Sequence, residues 1–387
     1  MSNECEISLG GNSHQHPKQR DVAHRIQQVH KEIFEKIVIM HGRPRVKDVG
    51  PQNPEKVKAA EKKAELFGEL CRRVLEARQQ RLFTVENLNM SSKLLQMNPE
   101  MYTVWNYRRE YLESIIDKGG DEAVAAVKEE LVVTERALFK NPKSYATFHH
   151  RRWVVSSGFC SLEHELDLVE KLLDADDRNF HGWGYRRCIS KHMGLPVSRE
   201  LEYSRKKIEQ NFSNYSAWHH RSTLLPLQGK EQDEIEKSVG NLSSKAVHDI
   251  PLDTLEEEFQ FVRQACYTDP LDQSGWFYHR WLLGCLGQHV RECTASQEEE
   301  KKTRVLNMLC EELTMCGEIH ELEPRAKWPV LTAIQIEKAI LHTSKEEEIE
   351  HHGIGKDVSW LVDVDPMRRN FYTDVAEMKA DPWSIHA

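Results

Sequence analysis

Asn141-Pro-Lys-Ser-Tyr-Ala-Thr-Phe-His-His-Arg-Arg-Trp153 is the stretch that decides the fold, because variants of it recur along the chain. Asn98-Pro-Glu-Met-Tyr-Thr-Val-Trp-Asn-Tyr-Arg-Arg109 keeps the same frame. Alignment on the aromatic position collects Trp105, Phe148, Trp183, Trp218 and Trp276. Each is followed three or four residues later by arginine: Arg108 and Arg109, Arg151 and Arg152, Arg186 and Arg187, Arg221, and Arg280. The intervals are 43, 35, 35 and 58 residues. A period near 35 is the length of a helix pair that buries its apolar face only against its neighbours.

Within the frame, asparagine reads as an N-cap and proline as the first helical residue, because the cap oxygen takes an orphan N–H and proline has none to lose. The same pair stops the helix before it. Tyr102, Trp105 and Arg109 then fall on one helix face, and a helix over 121–140 returns to the next Asn-Pro. Further units start at Asp269-Pro270 and, in degenerate form, at Glu323-Pro324 with Trp328 out of frame. The long interval holds a polar stretch, 228–250, read as a surface loop. Six αα-hairpins after a helix at Glu55 predict an all-α fold, a curved α-solenoid or crescent superhelix. The tail from Val364 to the end caps it.

Ahead of this domain, 55–387, lies a tail, 1–54, with polar residues 1–20. It also carries one amphipathic helix, on which Val22, Ile26, Val29, Ile33 and Ile37 share a side. That helix lies on the protein, on a partner or on a membrane surface. Glycine and prolines from Met40 to Pro54 form a linker.

A net charge of -9 gives no basic footprint for nucleic acid, and no apolar run is long enough to span a bilayer. Nine cysteines without a C-x-x-C pair suggest neither a disulfide framework nor a structural zinc site. A reducing, cytoplasmic setting fits, and the N-terminus lacks the layout of a secretory signal. The sequence closes on Ser384-Ile-His-Ala387, which carries no cysteine for prenylation.

The repeated Trp and Arg read as structure: indoles fill the space between helices, and arginines bond helix-terminal carbonyls or carboxylates. A catalytic site needs one copy, so departures from the frame are the better candidates. Lys143 departs, since its slot holds Glu100, Asp177 with Arg178 beside it, Phe212 or Ser213, and Leu271 elsewhere. A lysine at a helix N-terminus fits a phosphate held there; an ordinary exposed lysine is the alternative. Asn179, Phe180 and His181 occupy the equivalent turn one hairpin on and would line the same concave face. The pairs His149-His150, His219-His220 and His351-His352 point about 100° apart on a helix, a poor arrangement for one metal.

The recurring N-P-x-x-Y-x-x-W-x-x-R-R unit resembles the α-subunit repeat of protein prenyltransferases over nearly all of 40–375. Three stretches look like the α subunits of Rab geranylgeranyltransferases, the type II enzymes: Met40-His-Gly-Arg-x-x-Val-Lys47, Asp269-Pro-x-Asp-Gln-Ser-x-Trp-Phe-Tyr-His-Arg-Trp-Leu-Leu-Gly284 and Val364-Asp-Pro-Met-Arg368. The resemblance implies a crescent around a separate β subunit that holds the catalytic zinc and most of the lipid pocket. The partners it implies are that β subunit, geranylgeranyl diphosphate, and a Rab GTPase presented by an escort protein. It assigns Lys143 and Tyr145 to the diphosphate edge, and the Phe180 and His181 slots to the substrate channel, with Phe180 lacking the hydroxyl of a farnesyltransferase tyrosine.

His41 matches a type II histidine that follows the initiator methionine and reaches the zinc of β. The 39 residues before Met40 would obstruct it unless translation begins at Met40 or the 22–38 helix folds aside. The immunoglobulin-like insertion and leucine-rich repeats of vertebrate type II chains look absent. Two other readings stay open: an α subunit shared by farnesyltransferase and type I geranylgeranyltransferase, and a non-catalytic helical-repeat scaffold.

Overall fold

Side chains at the turns fix where each helix starts and stops. The computed structural model describes residues 54–230, 250–296, 298–344 and 358–377. The expected helix at 22–38, the linker with His41, most of the 228–250 loop and His351-His352 lie outside them. Fifteen α-helices and no strand occur among the described residues. They are α1 (Pro54–Gln79), α2 (Val85–Met97), α3 (Tyr102–Ile116), α4 (Gly120–Lys140), α5 (Tyr145–Ser156), α6 (Leu162–Ala175), α7 (Phe180–Met193) and α8 (Val197–Gln210). Then follow α9 (Tyr215–Leu224), α10 (Leu252–Thr268), α11 (Gln273–Ser296), α12 (Glu299–Leu322), α13 (Lys327–Ser344), α14 (Val358–Val364) and α15 (Arg369–Glu377). The chain divides into two compact units, one through Ile189 and one from Ser190. Both are built of helical hairpins, as expected.

Asn-Pro works differently from the sequence expectation. Asn98 and Asn141 are C-caps, donating backbone N–H to Leu94 and Ala137 carbonyls. Each side-chain oxygen then accepts the N–H two residues on, Glu100 at 3.1 Å and Lys143 at 3.1 Å. The new helix starts later, and α5 is capped by Ser144, whose hydroxyl accepts from Thr147 N at 3.2 Å. The asparagine therefore folds the turn, and its proline lies in the turn before the helix. Helix pairing follows: α4 packs on α5 more than on α3, and α10 and α12 pack most on the helices after their turns, α11 and α13. The hairpins close across the Asn-Pro turn.

On α3 the face also differs. Trp105 and Arg108 are buried with Val104 and Tyr107, whereas Tyr102 and Arg109 point away from that core. Trp105, Phe148, Trp183, Trp218 and Trp276 are all buried to 2% exposure or less. The tail packs Leu361, Tyr372 and Val375 on Val330, Leu331 and Ile334 of α13.

A buried ionic clamp recurs in both units. Arg151, fully buried, donates to the Glu165 carboxylate at 2.8 Å, to the Leu131 carbonyl at 2.8 Å and to the Thr134 hydroxyl at 2.6 Å. Arg108 binds Glu130, the Leu88 carbonyl and Ser91 in the same manner, and Arg221 binds Glu258, the Leu201 carbonyl and Ser204. Each glutamate also bonds a side chain 20 residues on: His150 for Glu130, Tyr185 for Glu165 and Tyr278 for Glu258.

Removing one member of a buried pair strands the other charge and costs about 3–5 kcal/mol. Glu165→Gln is therefore expected to lower unfolding free energy by that amount in denaturant titration. Glu113→Gln, at an exposed pair with Arg109, should stay within about 0.5 kcal/mol. Burial alone would raise the Glu130 carboxyl, but Arg108 and His150 overcome it and hold it at about 2. A carboxyl depressed in the folded state contributes stability that is full above its ordinary value of 4.5 and is lost as pH falls toward 2. Stability should accordingly fall less steeply between pH 4.5 and 2 in Glu130→Gln than in the wild type.

Candidate functional site

Tyr145 is the first residue of α5, directly after the Ser144 cap, so its phenol stands out from the turn at 62% exposure. Lys143 lies two residues earlier, in the turn itself. Its ammonium sits 3.3 Å from Asp176, the C-cap of α6, with the lysine side chain half exposed and the aspartate buried. The contact has ion-pair distance without hydrogen-bond alignment. Asp176 thus holds a partly exposed cation beside an exposed phenol, a pairing the sequence reading did not include. Its signal was available, because Asp176 is the third unit's counterpart of Asn141.

His181, in the first turn of α7, is buried. Its ring meets Tyr145 edge-on at 4.1 Å, stacks on Phe148 at 5.6 Å and faces Phe180 at 5.0 Å. Phe180 is 63% exposed. Lys143, Tyr145, Phe180 and His181 therefore share one edge of the first unit. Burial pushes the His181 imidazole below its ordinary range, and Arg152 and Lys143 push it further against the opposing pull of Glu100.

Asn179 takes another role. In neighbouring units the Trp indole N–H bonds a carbonyl six residues back, Trp105 to Pro99 and Trp183 to Asp177, each at 2.8 Å. Phe148 has no such donor, and the corresponding Pro142 carbonyl accepts from Asn179 Nδ2 at 2.9 Å. Asn179 Oδ1 accepts from the N–H groups of His181 and Gly182 at 3.0 and 3.1 Å. With both ends of its amide engaged and 1% exposure, Asn179 positions the turn and does not line an open channel.

The Lys143 slot, five residues before the aromatic, holds Arg178 in the third unit, not Asp177. Arg178 is largely exposed, 4.0 Å from Asp177. Lysine is found at this slot in one unit, while a cation recurs in two. The histidine pairs split between surfaces: His150 and His220 bond Glu130 and Glu200, while His149 and His219 meet Tyr102 and Tyr215. Among the described residues no three His, Cys, Asp or Glu side chains gather to hold a metal, and no helix is long and apolar enough to cross a membrane. Chemically, the edge offers an ammonium and a phenol that can donate together to an oxyanion, beside an imidazole held toward its neutral form.

The chain matches the protein prenyltransferase alpha subunit repeat at 85–115, 127–158, 162–193, 197–227 and 255–286. It is 52% identical over 247 residues to geranylgeranyl transferase type-2 subunit alpha 1 of Arabidopsis thaliana, covering 63% of this chain and 34% of that protein. It is 34% identical over 341 residues to geranylgeranyl transferase type-2 subunit alpha of Dictyostelium discoideum, covering 86% of this chain and 98% of that protein. With the Homo sapiens protein of that name, identity is 40% over 247 residues, covering 63% of this chain and 42% of the relative. The match thus spans about a third of the plant protein and under half of the human one, but nearly all of the Dictyostelium protein.

The two cations beside His181 are expected to add to the depression that burial sets. Replacing Arg152 by Met should raise the His181 midpoint in an NMR titration of its ring proton, because a positive neighbour is removed. A midpoint unmoved by Arg152→Met would mean that Arg152 takes no part in depressing it.

Proposed function

The chain belongs to the protein prenyltransferase α-subunit family, and from that premise we propose that it is the α subunit of a cytoplasmic, heterodimeric Rab geranylgeranyltransferase. The observation that carries this reading is the 34% identity running through 98% of a type-2 α subunit. On this reading the chain assembles with a β subunit and works on Rab proteins presented by an escort protein. Geranylgeranyl passes from its diphosphate to C-terminal cysteines of the Rab. Zinc belongs to the β subunit, where it would lower the substrate thiol's pKa and favour the thiolate.

In the transfer a sulfur–carbon bond forms at C1 of the isoprenoid, the C1–oxygen bond breaks, and diphosphate departs with the electron pair. This chain's share is to stabilise the charge that gathers on the leaving oxygens. Lys143 Nζ donates a charge-assisted hydrogen bond there, and the Tyr145 phenol, a neutral donor, adds a second. Asp176 keeps the lysine at the edge before substrate arrives. Phe180 offers an apolar surface beside it, and His181, clasped by Tyr145, Phe148 and Phe180, fixes the phenol's position.

Co-expression with a type-2 β subunit should give a heterodimer that transfers labelled geranylgeranyl to a Rab in the presence of escort protein. Lys143→Ala should leave assembly intact and slow single-turnover transfer by about 30- to 160-fold, equivalent to roughly 2–3 kcal/mol. Unchanged transfer would remove Lys143 from the mechanism, and no transfer by the wild-type pair would overturn the assignment.

A further inference from the structure

Two half-buried arginines of the first unit, Arg152 and Arg187, have no counter-ion among the described residues. The leading arginine of each Arg-Arg pair in α3 and α5 is neutralised by a buried glutamate, as Arg108 and Arg151 are. The trailing arginine of α3, Arg109, finds Glu113 one turn on at 2.9 Å and lies over the Trp153 ring at 4.6 Å. The slot of Glu113 holds Ser156 after Arg152 and Lys191 after Arg187. Neither arginine has a hydrogen bond or ion pair among the described residues, and Arg152 Nε is buried without a partner.

Both are half-buried, and they converge. A Cβ placed on Gly184 would lie 2.8 Å from Arg152 Nη2 and 3.8 Å from Arg187 Nη2. Glycine therefore leaves the room that the Arg152 guanidinium fills, and both forks sit over one backbone position. Burial pushes Arg187 below its ordinary value, and the Arg152 charge adds to that push. Like charges held close in a partly desolvated setting destabilise the free chain, and an anion between them reverses the sign of that interaction. Guanidinium forks match phosphate oxygens in number and direction.

We propose that Arg152 and Arg187, converging over Gly184, form a binding site for a phosphate-class oxyanion. It lies two helical turns along α5 from Tyr145, about 10 Å, and is separate from the Lys143 edge. The oxyanion can come from free phosphate or diphosphate, or from the headgroup of an isoprenoid diphosphate. The site stands whether or not the chain meets a β subunit.

Isothermal titration of the full chain with inorganic phosphate, inorganic diphosphate and geranylgeranyl diphosphate, at fixed ionic strength, tests it. At least one should bind, with Arg152→Ala and Arg187→Ala each weakening affinity by about tenfold or more. Arg187→Lys should restore part of the loss, and Arg178→Ala, at an exposed cation outside the site, should retain binding. Without ligand, Arg187→Ala should melt at or above the wild-type temperature, since it removes a repulsive contact. Binding of inorganic diphosphate marks a free anion as sufficient, whereas binding of geranylgeranyl diphosphate alone marks the headgroup. Binding that is absent, indifferent to both arginines or abolished by Arg178→Ala overturns the proposal. So does a lower unliganded melting temperature for Arg187→Ala.

Discussion

The arginine–glutamate clamp is the constraint on which the rest of the structure depends. A guanidinium as enclosed as that of Arg151 is tolerable only when charge and hydrogen bonds are both answered. Glu165, Tyr185, Thr134 and the Leu131 carbonyl answer them together. The carbonyl comes from α4 and the carboxylate from α6, so one side chain of α5 ties the helix before to the helix after. Similar hairpins packed by hydrophobic contact alone would tolerate slipped registers. A slip here would strand a buried charge, and the clamp therefore selects one register.

Most of this architecture was legible in the sequence. The Trp period shows the repeat, α4 falls within a residue of the expected 121–140, and the arginines bond carbonyls and carboxylates as their position in the frame suggests. The carboxylates themselves were not legible. Glu130, Glu165, Glu200 and Glu258 each stand 20 residues before the side chain that bonds them. Among 62 acidic residues, their alternation of His and Tyr partners hides that spacing until the helices are paired.

Asn-Pro was misread for a related reason. Asparagine serves equally as an N-cap or as the residue whose side chain folds a turn, and local propensity does not separate the two. Only the bond that Thr147 N–H donates to the Ser144 hydroxyl, absent from any Asn-Pro rule, places the helix start. The shift moves Lys143 out of the helix and into the turn, where Asp176 can reach it. Asn179 is turned away from a channel because its amide donates to the Pro142 carbonyl, which Phe148, lacking an indole N–H, leaves open, a compensation across two repeats that a single-residue reading cannot see.

The frame also explains where function can be added. Residues three before each aromatic, Tyr102, Tyr145, Phe180 and Tyr215, are exposed, while the aromatic and the arginine three later are closed in the core. Exposed slots can vary without disturbing the clamp, so Lys143, Phe180 and Arg178 differ from their counterparts at little structural cost. Gly184 and Arg152 follow the same logic one step deeper. They lie beside the clamp but outside its hydrogen bonds, so that a lost side chain at one and an unneutralised guanidinium at the other leave Arg151 and Glu165 intact. A repeat stabilised by a few fully satisfied buried charges can thus carry unsatisfied ones next to them, and those are the groups with interactions still to make.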